Sequence, residues 1–153
     1  MGKAASIEVR ELTEGDLSWV LPMDEGAFSL AWKRETFLEE LTGRLAHYYG
    51  VFEDGTPIAY GGFWLVAGEA QNMRLAVDPG RRGEKKGLFL VASLIEKARD
   101  LGAEEVTLEV REHNLPARKT YEHLGFFSCG KRPHYYADSG EDAVLMRLLL
   151  TDM

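Results

Sequence analysis

The sequence predicts a single mixed α/β domain over residues 1–153, with a sheet of about seven strands. Three observations carry this. Short aromatic or β-branched runs recur along the chain, separated by turn residues. A sharply amphipathic stretch follows Gly87, with Leu90, Leu94, Ala98 and Leu101 on one helical face and Val91 and Ile95 beside them. No repeat, low-complexity segment or linker interrupts the chain, and a domain of this length buries roughly 68–70% of its unfolded surface.

The elements follow in order. Ile7 and Val9 alternate with Glu8 and Arg10, which predicts a first strand. Thr13 caps a helix through Asp16, Leu17 and Val20, which Pro22 is expected to kink or end. Residues 33–41 read as a second helix closed by Gly43. Residues 46–53 and 57–66 are strands joined by an Asp54-Gly55 hairpin turn, and Gly68-Glu69 turns into a strand over 70–77. The helix after Gly87 ends at Gly102, and 105–111 is a strand. Asn114 caps a short helix with Pro116 in its first turn and Gly125 past its end. Residues 126–136 and 143–150 complete the sheet, joined by a polar turn over 137–142.

Composition narrows the class. Hydrophobic residues make up 45% and charged residues 28%, the balance of an ordinary soluble domain. A net charge of −7 argues against direct nucleic-acid binding. Cys129 is the sole cysteine, so neither an intrachain disulfide nor a thiolate metal cluster can form. It falls in an expected strand with no histidine near it in sequence, and reads as a buried cysteine rather than a nucleophile. His47, His113, His123 and His134 lack ligand spacing, so no metal is expected. Residues 1–10 have no apolar signal core and no apolar run approaches ~18 residues. A cytoplasmic protein without a membrane partner is the expectation.

The densest chemistry lies between Leu75 and Phe126. Arg81, Arg82, Lys85 and Lys86 cluster between a strand ending at Pro79 and a helix starting near Gly87, offset only by Glu84. A basic cluster alone is more often a solvated loop. This one sits at a helix N-terminus, where unpaired N–H groups and the positive dipole end favour a polyphosphate. On the following strand, Glu109 lies with Thr107 and Arg111 on the face opposite Leu108 and Val110. Periodicity alone makes Glu109 a solvated strand residue. Tyr121 sits one helical turn before Leu124, and by pattern is a half-buried packing aromatic.

The runs L-A-V-D-P-G-R-R-G-E-K-K-G (Leu75 to Gly87) and L-E-V-R-E-H-N-L-P-A-R-K-T-Y-E-H-L-G-F (Leu108 to Phe126) resemble the acyl-CoA-dependent N-acetyltransferases of the GNAT family. Within it they are similar to the ribosomal-protein-alanine N-acetyltransferase subgroup. Trp32, Thr36-Phe37, His134-Tyr135-Tyr136 and Gly140-Glu141-Asp142-Ala143 extend the likeness over almost the whole chain. The resemblance implies a mostly antiparallel twisted sheet flanked by about four helices, and acetyl-CoA as co-substrate with no metal.

It also implies roles. Arg82, Gly83, Glu84, Lys85, Lys86 and Gly87 would hold the coenzyme A pyrophosphate on backbone N–H groups. Lys85 departs from the family pattern, since glycine is usual there. A positive φ at that place would strain a lysine by about 1–2 kcal/mol. Backbone groups of Leu75, Ala76 and Val77 would pair with the pantetheine arm and supply an oxyanion donor. Asn114 would contact the cofactor or simply cap its helix.

Glu109 would be the general base that takes the amine proton, and Tyr121 the general acid that protonates the departing thiolate. Trp32, Tyr135 and Tyr136 would line the opening for a protein or peptide N-terminus, and the subgroup resemblance implies that of a small-subunit ribosomal protein. The proline usual before the tryptophan is absent from Phe28-Ser29-Leu30-Ala31-Trp32. Two other readings stay open: a GNAT enzyme for a small amine or a lysine side chain, and a non-catalytic acyl-CoA-binding module.

Overall fold

A computed structural model describes residues 6–81 and 86–150. Among them the chain runs β1 (Ile7–Glu11), α1 (Leu17–Ala27), α2 (Arg34–Thr42), β2 (Ala46–Glu53), β3 (Thr56–Val66), β4 (Glu69–Val77), α3 (Lys86–Asp100), β5 (Glu105–Arg111), α4 (Leu115–His123), β6 (Phe127–Arg132) and β7 (Ala143–Leu149). The strands hydrogen-bond in the order β1-β2-β3-β4-β5-β7-β6. Pairs β1–β2, β5–β7 and β6–β7 are antiparallel, and β4–β5 is parallel. This is the mixed, mostly antiparallel sheet with four helices that the sequence implies. The chain forms two compact units, Met1–Phe63 with Arg74–Leu94, and Trp64–Met73 with Ile95–Met153.

In the first unit, Leu12, Leu17, Val20, Phe37, Tyr48, Tyr60 and Ala76 form a buried cluster, with Trp32 and Phe28 packed against it. Helix α1 contributes Leu17 and Val20 to it. Of the two outcomes expected at Pro22, a kink or an end, the helix excludes the second: Pro22 lies inside it and does not end it. The missing N–H forfeits one hydrogen bond. Beyond the proline, Asp24 is buried, tied to Arg74 and Tyr60 of the same unit, and that tertiary tie outweighs the local penalty. Gly62 is fixed by close approach, because a Cβ there would overlap the Tyr48 ring and the His47 carbonyl.

Asp16, just ahead of α1, is buried and accepts from the Arg10 guanidinium (3.0 and 3.1 Å), the Thr13 N–H (2.8 Å) and the Trp19 indole (3.0 Å). Burial alone would raise its pKa, but these donors prevail and hold it at about 2. An unfolded aspartate titrates near about 3.9. The stabilisation is therefore full above that pH and is lost as pH falls through the folded value. Thermal unfolding of wild type and Asp16→Asn should differ most at neutral pH, with the gap narrowing below about pH 4. A gap that stayed constant down to pH 3 would refute the assignment.

In the second unit, β5 pairs with β4 at Glu69↔Glu105 and Ala70↔Val106, and with β7 from Glu105↔Leu149 to Arg111↔Ala143. Three sequence expectations shift here. The β3–β4 turn is Ala67–Gly68 rather than Gly68-Glu69, with φ of +48° and +84°, and Glu69 already belongs to the strand. Both central residues have the positive φ of a type I′ hairpin turn. The exposed Ala67 bears the strain of that conformation. Ala67→Asn should stabilise by about 0.5–1 kcal/mol, raising Tm by roughly 1–4 °C in a melt. Strand β6 stops at Arg132 rather than Tyr136, because Pro133 cannot donate to the ladder and His134 turns at φ +52°. Cys129 is exposed, not buried. It lies on the edge strand, at the register shift between Ser128 and Gly130.

Candidate active site

Strand β5 alternates as read from sequence: Val106, Leu108 and Val110 are buried, while Thr107, Glu109 and Arg111 are half-buried on the other face. The Glu109 carboxylate stands 3.4 Å from Arg132 Nε and lies near enough to the Tyr135 hydroxyl to raise its pKa. The interaction with that carboxylate, and then partial burial, raise the Tyr135 pKa. Tyr136 packs edge-on against Tyr135 at 5.1 Å. Burial, and then the Glu109 charge, push Tyr136 up to about 12. The structure thus gathers Glu109, Tyr135 and Tyr136 into one group.

Sequence reasoning missed the cations of this group. Arg132 comes to Glu109 from the end of β6. Arg111 lies 4.0 Å from the centre of the Tyr136 ring, held by Asp138 at 3.0 and 2.9 Å. Alternation on β5 was the available signal for Arg111. Nothing in the sequence pattern marked Arg132.

Tyr121 sits on α4, its ring 5.7 Å from that of Phe126. Burial raises its pKa to about 12. Its phenol therefore stays protonated across the neutral range, the form an acid needs. Asn114 fulfils its capping role, its side chain accepting from the Ala117 N–H at 3.3 Å.

In the first unit, Leu75, Ala76 and Val77 close β4. Ala76 is buried, and an alanine has no polar group other than its backbone to offer a ligand. Helix α3 starts at Lys86, and Gly87 faces open space. Arg82, Gly83, Glu84 and Lys85 lie outside the described residues. The two flanking cations are described. Arg81 pairs with Glu53 of β2, and Lys86 reaches the same carboxylate at 3.3 Å. A cation at the start of a 15-residue helix suits a polyphosphate, and Lys86 holds that place, with Arg81 in the turn Pro79–Arg81 before it. Glu53, which the sequence did not flag, is the carboxylate such an anion would have to compete with.

Trp32 packs edge-to-face on Phe37 at 5.1 Å and carries the Arg74 guanidinium 4.1 Å from its ring centre. It is at once part of the packing and half-exposed. Among the described residues, no group of three or more His, Cys, Asp or Glu side chains is placed to hold a metal. None of their helices is long and apolar enough to cross a membrane.

Residues 10–126 match the acetyltransferase (GNAT) family. The chain is 33% identical over 145 residues to a Bacillus subtilis (strain 168) protein provisionally named as a ribosomal protein bS18-alanine N-acetyltransferase, covering 94% of this chain and 96% of that one. It is 34% identical over 120 residues to the N-alpha-acetyltransferase RimI of Mycobacterium tuberculosis, covering 76% and 74% of the two chains. The crystal structure of the ribosomal-protein-S18-alanine N-acetyltransferase from Escherichia coli superposes with a TM-score of 0.87 at 28% identity, over 97% of this chain and 96% of that one. The chain therefore belongs to the acetyltransferase (GNAT) family, as an N-acetyltransferase that takes its acetyl group from acetyl-CoA.

Proposed function

We propose that residues 1–153 act as one acetyltransferase domain on the α-amine of a protein N-terminus, alanine at the start of a small-subunit ribosomal protein being the leading acceptor. The observation that carries this reading is the half-buried Glu109 carboxylate on β5, paired with Arg132 and flanked by Tyr135 and Tyr136. The full-length likeness to alanine N-acetyltransferases supports it.

The chemistry follows from those groups. Glu109 takes the proton of the acceptor ammonium, directly or through water, freeing the nitrogen lone pair. That nitrogen attacks the thioester carbonyl, the new C–N bond forms and the C–S bond breaks. Backbone N–H groups near Leu75, Ala76 and Val77 receive the charge that develops on the carbonyl oxygen. Tyr121 passes its phenolic proton to the departing sulfur, and the second proton, which the nitrogen sheds on becoming an amide, restores the phenol by way of solvent. Lys86 and the first turn of α3 hold the diphosphate. An α-amine of pKa about 7.7–8.0 is partly neutral at pH 7, whereas a lysine near 10.4 is not, so a single carboxylate suits the former.

The test offers a peptide with a free N-terminal alanine and an internal lysine, with acetyl-CoA, and locates the added acetyl group by fragment mass spectrometry. Label on the terminal amine is the expected result. Label on lysine alone would overturn the acceptor assignment while leaving the enzyme class in place.

A further inference from the structure

Residues 28–32, between α1 and α2, are fastened at both ends to one aspartate. The Phe28 N–H donates to the Asp24 carbonyl oxygen at 3.0 Å, and the Trp32 N–H donates to Asp24 Oδ2 at 2.8 Å. Arg74 of β4 grips the same carboxylate, Nε to Oδ1 at 2.9 Å and Nη2 to Oδ2 at 2.8 Å. Its guanidinium lies 3.9 Å from the centre of the Phe28 ring and 4.1 Å from that of Trp32. The two rings that begin and end the loop therefore both rest on one flat cation. Between them Leu30 is 68% exposed.

Only arginine combines these tasks. Its planar fork matches a carboxylate in two-point fashion while its faces stack on aromatic rings, whereas a lysine ammonium is a point charge. The loop contains no proline to stiffen it, and Leu30 at its middle is exposed. Holding it beforehand spares an acceptor the cost of ordering it on binding.

We propose that Arg74 is a positioning residue for the acceptor. Through Asp24, Phe28 and Trp32 it sets the shape of the 28–32 loop, and so sets affinity for a peptide substrate rather than for acetyl-CoA. This rests on the reading of a peptide acceptor given above.

The test is steady-state kinetics with the alanine peptide and acetyl-CoA, beside hydrogen-exchange mass spectrometry of the 28–32 segment. R74K keeps a charge on Asp24 but cannot lie flat between two rings. F28L removes one ring and leaves the ion pair in place, so it folds even where R74K does not. Each should raise the peptide KM by about tenfold, with kcat and the acetyl-CoA KM within about twofold. Exchange at the Trp32 amide should quicken while the sheet stays protected. Unchanged peptide KM in both variants overturns the proposal, as does an equal rise in both KM values, the mark of general loosening. If wild type acetylates no peptide N-terminus, the acceptor reading falls and this proposal with it. Peptide turnover with an unmoved KM in the variants sinks the proposal alone.

Discussion

Glu109→Gln should lower kcat by about 10²–10⁴-fold, with the fold intact. Glutamine keeps the shape of the side chain and one acceptor oxygen but has no proton affinity near neutrality. The structural loss is small. Arg132, the cationic partner, is 56% exposed, and exposed pairs contribute only about 0–1 kcal/mol. Stability and turnover should therefore separate: a melt within a few degrees of wild type, and a rate near background. Tyr121→Phe is the companion change. It keeps the ring against Phe126 and removes only the hydroxyl. Burial holds that hydroxyl at about 12, so its acidic form persists well above neutral pH. In a kcat/KM profile with the peptide, the rate should rise through the range of the acceptor amine, about 7.7–8.0. It should show no fall from Tyr121 before roughly pH 11, because the protonated form is lost only as pH climbs through the folded value. A descending limb near pH 9 that vanished in Tyr121→Phe would contradict this placement. Wild-type turnover in Tyr121→Phe would remove its role as acid.

Much of this is legible in the sequence wherever local pattern and tertiary role agree. Strands β2 and β5 carry their periodicity and their flanking turns with them, and fall at 46–53 and 105–111 as expected. What escapes the sequence depends on partners far along the chain. The continuation of α1 through Pro22 depends on Asp24 meeting Arg74, 50 residues later. The damping of the basic loop depends on Glu53, 28 residues before Arg81. The exposure of Cys129 follows from β6 being an edge strand with a shifted register against β7. The candidate site divides in the same way. Glu109, Tyr135 and Tyr136 stand out as residue types in place. Arg132 reaches Glu109 only because β6 and β5 both pair with β7, which no local period encodes.

Asp24→Ala should be the most destabilising single change, at about 3–5 kcal/mol. Asp24 is 0% exposed, and four donors converge on it: Arg74 Nε and Nη2, the Trp32 N–H and the Tyr60 hydroxyl. Burial, and then the carboxylate itself, push the Tyr60 pKa well above its ordinary value, so that phenol remains a donor. Alanine would strand all of these groups at once. The Arg74 side chain is only 14% exposed, and its charge would lose its counter-ion inside the domain. For a chain of 153 residues this corresponds to a fall in Tm of roughly 6–20 °C. The cause is separable from simple loss of packing. A buried pair costs desolvation on both sides, so replacing both charges by apolar groups is far milder than replacing one. Asp24→Leu with Arg74→Leu should recover the part of the loss that comes from the unpaired Arg74 charge, yet leave the Trp32 N–H and Tyr60 hydroxyl without their acceptor and the 28–32 loop unfastened. Denaturant melts of wild type, the single variant and the double variant settle the point. If the double variant is as unstable as the single, the unpaired Arg74 charge is not the cause of the loss.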